Sequence, residues 1–239
     1  MTSRERDRMQ QRSKPPFRAD HVGSLLRPPA LKDARASHAE GKLSAADLKA
    51  VEDREIERVI KKQEETGLQA VTDGEFRRSW WHLDFLWGLD GIEKHVMDTG
   101  VAFAGVNTRN EGLKVTGKIG FSGHPMIKHF KFVAAHTKRT PKITIPSPSA
   151  AYGRPVLPPI DRKIYPQNEA MFDDLGRAYK KAVRAFADAG CRYLQLDEVF
   201  IAMLCDPAYR QKMKDRGDDP ERLGALYGDL INAAMSDIP

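Results

Sequence analysis

The amino-acid sequence predicts an α/β fold built on a parallel sheet, and three observations predict it. Short apolar runs alternate with amphipathic helical stretches along the 239 residues, the pattern of repeated βα units. At least three of those runs end in polar or acidic groups, at His21/Ser24, Asp73/Glu75 and Asp197/Glu198. Parallel α/β folds hold their ligands at such carboxyl ends. Five runs have strand character, against the eight of a closed (β/α) barrel. By that count the chain is expected to be a TIM (β/α)8-type barrel truncated after about five strands. The barrel domain is expected over 17–239, preceded by a disordered segment over 1–16.

The elements follow in order. A short first strand enters His21-Val22-Gly23-Ser24, where Gly23 allows close backbone approach and Ser24 offers a hydroxyl and an N–H. A helix over Ala30 to Glu40 precedes a turn at Gly41. Ser44, with Asp47 three residues on, caps a second helix that carries Leu48, Val51, Ile56, Val59 and Ile60 at helical spacing to Gly67. Leu68 to Thr72 is the second strand and runs into Asp73-Gly74-Glu75. Arg77 and Arg78 stand where they can offset those acids, and Trp80 and Trp81 form either core or a stacking wall. Residues 83–120 read as a β-hairpin excursion, with a third barrel strand near Lys114–Ile119. A helix from Pro125 to about His136 carries His129. Lys142 to Ile145 is the fourth strand, followed by a Pro/Ser loop. The strongest helical pattern is Asn168 to Ala189, with Met171, Leu175, Tyr179, Val183 and Phe186 on one face. The fifth strand, from Tyr193, is apolar enough to be covered on both faces and ends in Asp197 and Glu198. This acidic pair either binds a ligand or caps the next helix. Pro220 to Ala234 is a last helix.

Composition narrows the function classes. The formal net charge is +6, but the basic residues are dispersed. Their densest group, Arg4, Arg6, Arg8, Arg12, Lys14 and Arg18, lies near the N-terminus without interleaved aromatics, which argues against a nucleic-acid partner. No apolar run approaches the roughly 20 residues that span a bilayer, so no membrane partner is expected. Met1 to Lys14 lacks the apolar stretch of a secretory signal. Two cysteines, Cys191 and Cys205, make no disulfide framework; a reducing, cytoplasmic location is expected.

Three stretches taken together resemble the catalytic barrel of cobalamin-independent methionine synthase and its short single-barrel relatives. They are His21-Val22-Gly23-Ser24-Leu25-Leu26-Arg27-Pro28, Thr72-Asp73-Gly74-Glu75-Phe76-Arg77-Arg78 and Gln195-Leu196-Asp197-Glu198. The resemblance runs from about residue 17 to the end of the chain. It implies a 5-methyltetrahydropteroyltriglutamate–homocysteine S-methyltransferase-like enzyme of methionine synthesis. Homocysteine would be held through His21, Val22, Gly23, Ser24, Glu75, Asp197 and Glu198, and methyltetrahydrofolate would be the methyl donor. The chemistry is coherent. An α-amino acid presents an ammonium for carboxylates and a carboxylate for N–H donors.

The same resemblance implies a zinc ion that holds the substrate sulfur as thiolate. The family's ligands are a His-x-Cys near the sixth strand and a later Glu and Cys. No His-x-Cys occurs here, so these ligands are expected beyond Pro239 and no metal ligand is assigned in this chain. The tryptophan that packs on folate in the full-length synthases falls at Pro148. Two other readings remain open. One is a related thiol alkyltransferase with a different acceptor, such as coenzyme M. The other is a non-catalytic fragment completed by a partner chain.

Overall fold

A computed structural model describes residues 14–17, 19–97, 102–103, 106–107, 110–154, 157–236 and 238. The expected disordered segment over 1–16 lies almost wholly outside the described residues.

The first helices form where the sequence provides caps. Helix α1 (Pro29–Ala39) starts with proline at its first position, where the missing N–H costs nothing. It buries Leu31 and Ala34. Helix α2 (Ala45–Glu65) is capped by Ser44, whose side chain accepts the Asp47 N–H at 3.1 Å. Its inner face is Ile56, Ile60 and Gln63. Strand β1 (Ala70–Val71) follows. Gln63 acts as a substitute strand for the end of β1, accepting the Thr72 N–H at 3.0 Å and donating to the Thr72 carbonyl at 2.9 Å.

After the short helix α3 (Leu83–Leu86), strands β2 (Asp90–Val96), β3 (Ala102–Phe103), β4 (Val106–Asn107) and β5 (Glu111–Gly120) form the excursion. β2 pairs antiparallel with β5, and β3 with β4. Lys114–Ile119 is therefore one arm of the hairpin and not a third barrel strand. Its two-residue alternation reports a half-buried strand but does not specify the partner.

Helix α4 (Pro125–Ala135) leads into β6 (Thr140–Pro141) and β7 (Ile143–Pro146). This near-continuous stretch is the centre of the parallel arc. β6 pairs with β1 and β7 pairs with β8 (Leu194–Asp197). Between the two halves, Lys142 donates its N–H to Val71 at 2.9 Å, and Ile143 donates to Tyr193 at 3.2 Å. A 3₁₀ turn (Pro148–Ala151) and helix α5 (Asn168–Asp188) connect β7 to β8. Helices α6 (Phe200–Met203), α7 (Pro207–Asp215) and α8 (Pro220–Met235) follow. α5 packs against both α8 and β5, burying Met171, Leu175, Tyr179, Val183 and Phe186 as its periodicity predicts.

Two further expectations are corrected. The stretch at His21–Ser24 is not a strand. It is irregular chain tied to the arc through side chains and through Leu25, which donates its N–H to the Gly74 carbonyl at 3.1 Å. β8 is not covered on both faces, since all four of its residues are half-buried. Its only strand neighbour among the described residues is β7. The described residues thus form an arc of parallel strands and no closed barrel. None of their helices is long and apolar enough to cross a membrane.

Candidate functional site

The carboxyl ends of β1, β7 and β8 lie side by side, and the acidic groups sit there. Beyond β1, Thr72, Asp73 and Glu75 are all buried. Gly74 has φ +64° and Glu75 has φ +58°. The left-handed region costs a residue with a Cβ on the order of 1 kcal/mol, so Glu75 is held there by its surroundings. The turn is fixed by its own side chains. Thr72 Oγ1 accepts the Gly74 N–H at 3.1 Å and Asp73 Oδ1 accepts the Glu75 N–H at 2.9 Å. Four arginine contacts brace it from outside: Arg27 donates to the carbonyls of Glu75 and Arg78 at 3.0 and 2.9 Å, and Arg35 to those of Arg78 and Arg77 at 2.7 Å each.

The Glu75 carboxylate faces inward. Thr144 of β7 donates to Glu75 Oε1 at 3.4 Å, and Arg78 lies 3.4 Å from the same oxygen. Arg78 is itself 2% exposed and donates to the Thr144 carbonyl at 2.7 Å. Burial raises the Glu75 pKa; Arg78 opposes the shift, while the charges of Asp73 and Asp197 add to it. Asp197, at the end of β8, is half-buried and accepts from Gln195. Burial raises its pKa too, against Gln195, Arg78 and Lys142. Three carboxylates thus share one neighbourhood with Arg78, and two of them resist ionisation.

Glu198 points elsewhere. One oxygen accepts from the hydroxyls of Ser147 and Ser149, and the other from the N–H groups of Phe200 and Ile201, at 2.5 and 2.9 Å. It caps α6 and ties the end of β7 to the end of β8. The capping alternative describes Glu198, whereas Asp197 faces the acidic cluster.

The N-terminal stretch is anchored by Lys142, whose side chain is 0% exposed. Its ammonium donates to Asp20 at 2.7 Å and to the His21 carbonyl at 2.9 Å, and lies 4.9 Å from the centre of the Tyr193 ring. Tyr193 donates to the same Asp20 carboxylate. His21 Nε2 meets the Gly23 carbonyl at 2.7 Å. Gly23, at φ +83°, makes the bend, while Val22 and Ser24 are exposed.

Sequence reasoning missed Asp20, Lys142, Thr144, Ser147 and Ser149. A lysine opening an apolar strand was the available signal for Lys142. The others carry no signal apart from their partners. Of the two arginines expected to offset the acids, Arg78 does so, while Arg77 pairs with Glu52 and Asp53 of α2. Trp80 packs on the core, and half-buried Trp81 lies against the ring of His82 at 4.3 Å. An apolar groove of about 400 Å3 lies between Leu25, Pro28 and α2, and none of the acidic residues of the cluster lines it.

A zinc ion does not fit the described residues. No three His, Cys, Asp or Glu side chains among them gather as a metal-ligating group. Cys191 is buried and its thiol is pushed up to about 11 by burial, so it is not a thiolate. Cys205 is exposed.

A family model described as the catalytic domain of cobalamin-independent synthase matches residues 17–215. The chain belongs to this family. It is 46% identical over 227 residues to YxjH of Bacillus subtilis (strain 168), a protein itself named as uncharacterized. That match covers 95% of the chain and 59% of the relative. Among solved structures, it resembles a Listeria monocytogenes protein assigned as a vitamin-B12-independent methionine synthase, with 41% identity and a TM-score of 0.75. The likeness covers 94% of this chain and 62% of that one. A B12-independent methionine synthase of Shewanella sp. W3-18-1, solved with selenomethionine, shares the fold at 16% identity and TM-score 0.59. The chain therefore spans about three fifths of the length of the first two relatives.

Proposed function

We propose that this chain carries the amino-acid-binding part of a cobalamin-independent synthase site and serves methyl transfer to the sulfur of homocysteine. The observation that carries this reading is the cluster of Asp73, Glu75 and Asp197 at the ends of β1 and β8, with Arg78 as its internal cation. A ligand ammonium placed there offsets part of the negative charge and favours the ionised forms of Glu75 and Asp197. The bend at Val22, Gly23 and Ser24, held by the Lys142–Asp20 pair, presents N–H groups and a hydroxyl to the ligand from the exposed side. In this reading His21 shapes the bend and Glu198 fixes the ends of β7 and β8. An acceptor without an ammonium, such as coenzyme M, offers the three carboxylates nothing.

In the family, zinc supplies a thiolate-stabilising Lewis acid. The described residues do not form that site, so this chain's part is to bind and orient the amino-acid end of the substrate. Methyltetrahydrofolate is the donor that the family relationship supports. At Pro148, where the full-length synthases carry a stacking tryptophan, this chain has a buried proline in the 3₁₀ turn.

Isothermal titration of homocysteine into the wild type and into Glu75→Gln and Asp197→Asn tests the reading. Each substitution is expected to weaken binding by about 1.5–3 kcal/mol, the range for a hydrogen bond to a charged group. Unchanged affinity in both variants would remove the cluster from the site.

A further inference from the structure

The acidic cluster contains its own cation, and that cation is fixed by the fold before any ligand arrives. The Arg78 side chain is 2% exposed. One terminal nitrogen donates to the Thr144 carbonyl of β7 at 2.7 Å. The other lies 3.4 Å from the Trp81 carbonyl and 3.5 Å from Thr144 Oγ1. The Arg78 N–H donates to the Glu75 carbonyl at 3.0 Å, and its own carbonyl accepts from Arg27 and Arg35 at 2.9 and 2.7 Å. Arg78 is thus tied to β7, to its own turn and to the aromatic loop after it. A buried guanidinium is costly unless its donors are satisfied, so these carbonyls hold it in one place.

The Glu75 carboxylate is divided in its use. Oε1 takes both side-chain contacts, from Thr144 Oγ1 at 3.4 Å and from Arg78 at 3.4 Å. Oε2 accepts nothing from the described residues, yet it is not sealed from solvent as Asp20 Oδ1 is. A bidentate guanidinium takes both oxygens of a carboxylate; one free oxygen suits a primary ammonium. Contacts of 3.4 Å are long for hydrogen bonds. Arg78 therefore acts mainly as a charge, at an enclosed place where water screens it little. The groups facing Glu75 are few: Arg78 and Asp73 from its own turn, Asp197 from β8 and Thr144 from β7. Thr144 lies opposite Gln195 in the β7–β8 register, and Asp197 is two residues further along the same face. His129 of α4, kept neutral by burial with a pKa pushed down to about 4, feels the charges of Asp73, Arg77 and Arg78. Burial favours the protonated form of Glu75. Arg78 opposes this, Asp73 and Asp197 add to it, and the Thr144 hydroxyl opposes it.

We infer that Arg78 and Thr144 are positioning residues, which hold ionised Glu75 by Oε1 and leave Oε2 for the primary ammonium of the ligand. The inference rests on the amino-acid reading for the identity of the ligand. The hold on Glu75 is a property of the protein alone.

The test uses the whole chain, labelled with carbon-13 at the glutamate carboxyl and followed by NMR over pH. The Glu75 signal is assigned by its loss in Glu75→Gln, and its titration needs no ligand. Arg78→Gln is expected to raise the Glu75 midpoint by about 1–3 pH units, the effect of removing a close opposite charge. Thr144→Val, near in shape, should raise it by about half a unit, because it removes one long contact to the charged form. Thr144→Ser keeps the hydroxyl and should leave it in place. Where Arg78→Gln does not fold, the Thr144 pair decides. An unmoved midpoint in the folded variants, or an equal rise in Thr144→Val and Thr144→Ser, overturns the inference. Calorimetric titration of homocysteine over the same pH range reads the ligand side. Wild-type affinity should fall as pH drops through the Glu75 midpoint, since the protonated carboxyl no longer attracts the ammonium. In Arg78→Gln and Thr144→Val the fall should come at higher pH, by the shift read in the NMR titration, and affinity should return above it. A loss of affinity equal at every pH would mark the two residues as merely structural and overturns the inference. Midpoints that move as expected, in a protein that binds no homocysteine at any pH, keep the hold on Glu75 and remove the amino-acid reading.

Discussion

Replacing Lys142 with methionine tests how the N-terminal stretch is held over the strand ends. The ammonium is fully enclosed and makes two charge-assisted hydrogen bonds, to Asp20 at 2.7 Å and to the His21 carbonyl at 2.9 Å. Methionine fills most of the aliphatic volume, so little cavity follows. Each lost bond costs about 1.5–3 kcal/mol. The desolvation penalty of the ammonium, recovered on its removal, offsets part of this. Asp20 keeps the Tyr193 hydroxyl and its side chain is 15% exposed, which reduces the cost of leaving it unpaired. The net expectation is a loss of roughly 2–4 kcal/mol, equivalent to about 5–15 °C for a domain of this size. Urea unfolding followed by circular dichroism reads it. Faster hydrogen exchange at residues 20–25 is the local signature. The cycle with Asp20→Asn should show coupling of about 1–2 kcal/mol. A loss under about 0.5 kcal/mol, or additive single substitutions, would refute the anchor.

Other expectations follow from the same geometry. Gly74→Ala places a Cβ 3.1 Å from Phe76 and 3.2 Å from Leu25 at φ +64°. It should cost about 1–2 kcal/mol in urea midpoint; a neutral result would mean that the turn relaxes freely. His124 is buried, caps α4 by accepting the Met126 N–H at 3.1 Å, and donates to the Phe85 carbonyl at 3.1 Å. Burial pushes its pKa down to about 4. Its contribution is therefore present above the ordinary histidine value of about 6.5 and lost as pH falls toward 4. His82 and His129 act in the same direction. Glu75 and Asp197, with raised values, act oppositely, stabilising the fold as pH falls toward their unfolded pKa. His124→Asn should flatten the fall in melting temperature between pH 6.5 and 4; an unchanged slope would show that His124 does not titrate with unfolding.

The sequence by itself determined the local elements, because their causes are local. Ser44 caps α2 through an atom three residues away, and the apolar face of α5 is written in its own spacing. The run ending in Asp73-Gly74-Glu75 and the run ending in Gln195-Leu196-Asp197 were legible because a short apolar stretch followed by acids has few other uses in an alternating α/β pattern. Only the tertiary structure decided which stretches pair. Lys114–Ile119 has the same two-residue period whether its partner is the parallel arc or β2, and the hydrogen bonds run to β2. Asp197 and Glu198 are adjacent in sequence and indistinguishable in type. Consecutive positions at a strand end point in different directions, so one meets the acidic cluster and the other the serines and the start of α6. The arginines show the same limit. Arg77 and Arg78 are adjacent and alike in sequence, but which acceptors a guanidinium meets depends on carbonyls and carboxylates brought from distant positions. Folding gives Arg78 the Thr144 carbonyl and the Glu75 carboxylate, and gives Arg77 the carboxylates of Glu52 and Asp53.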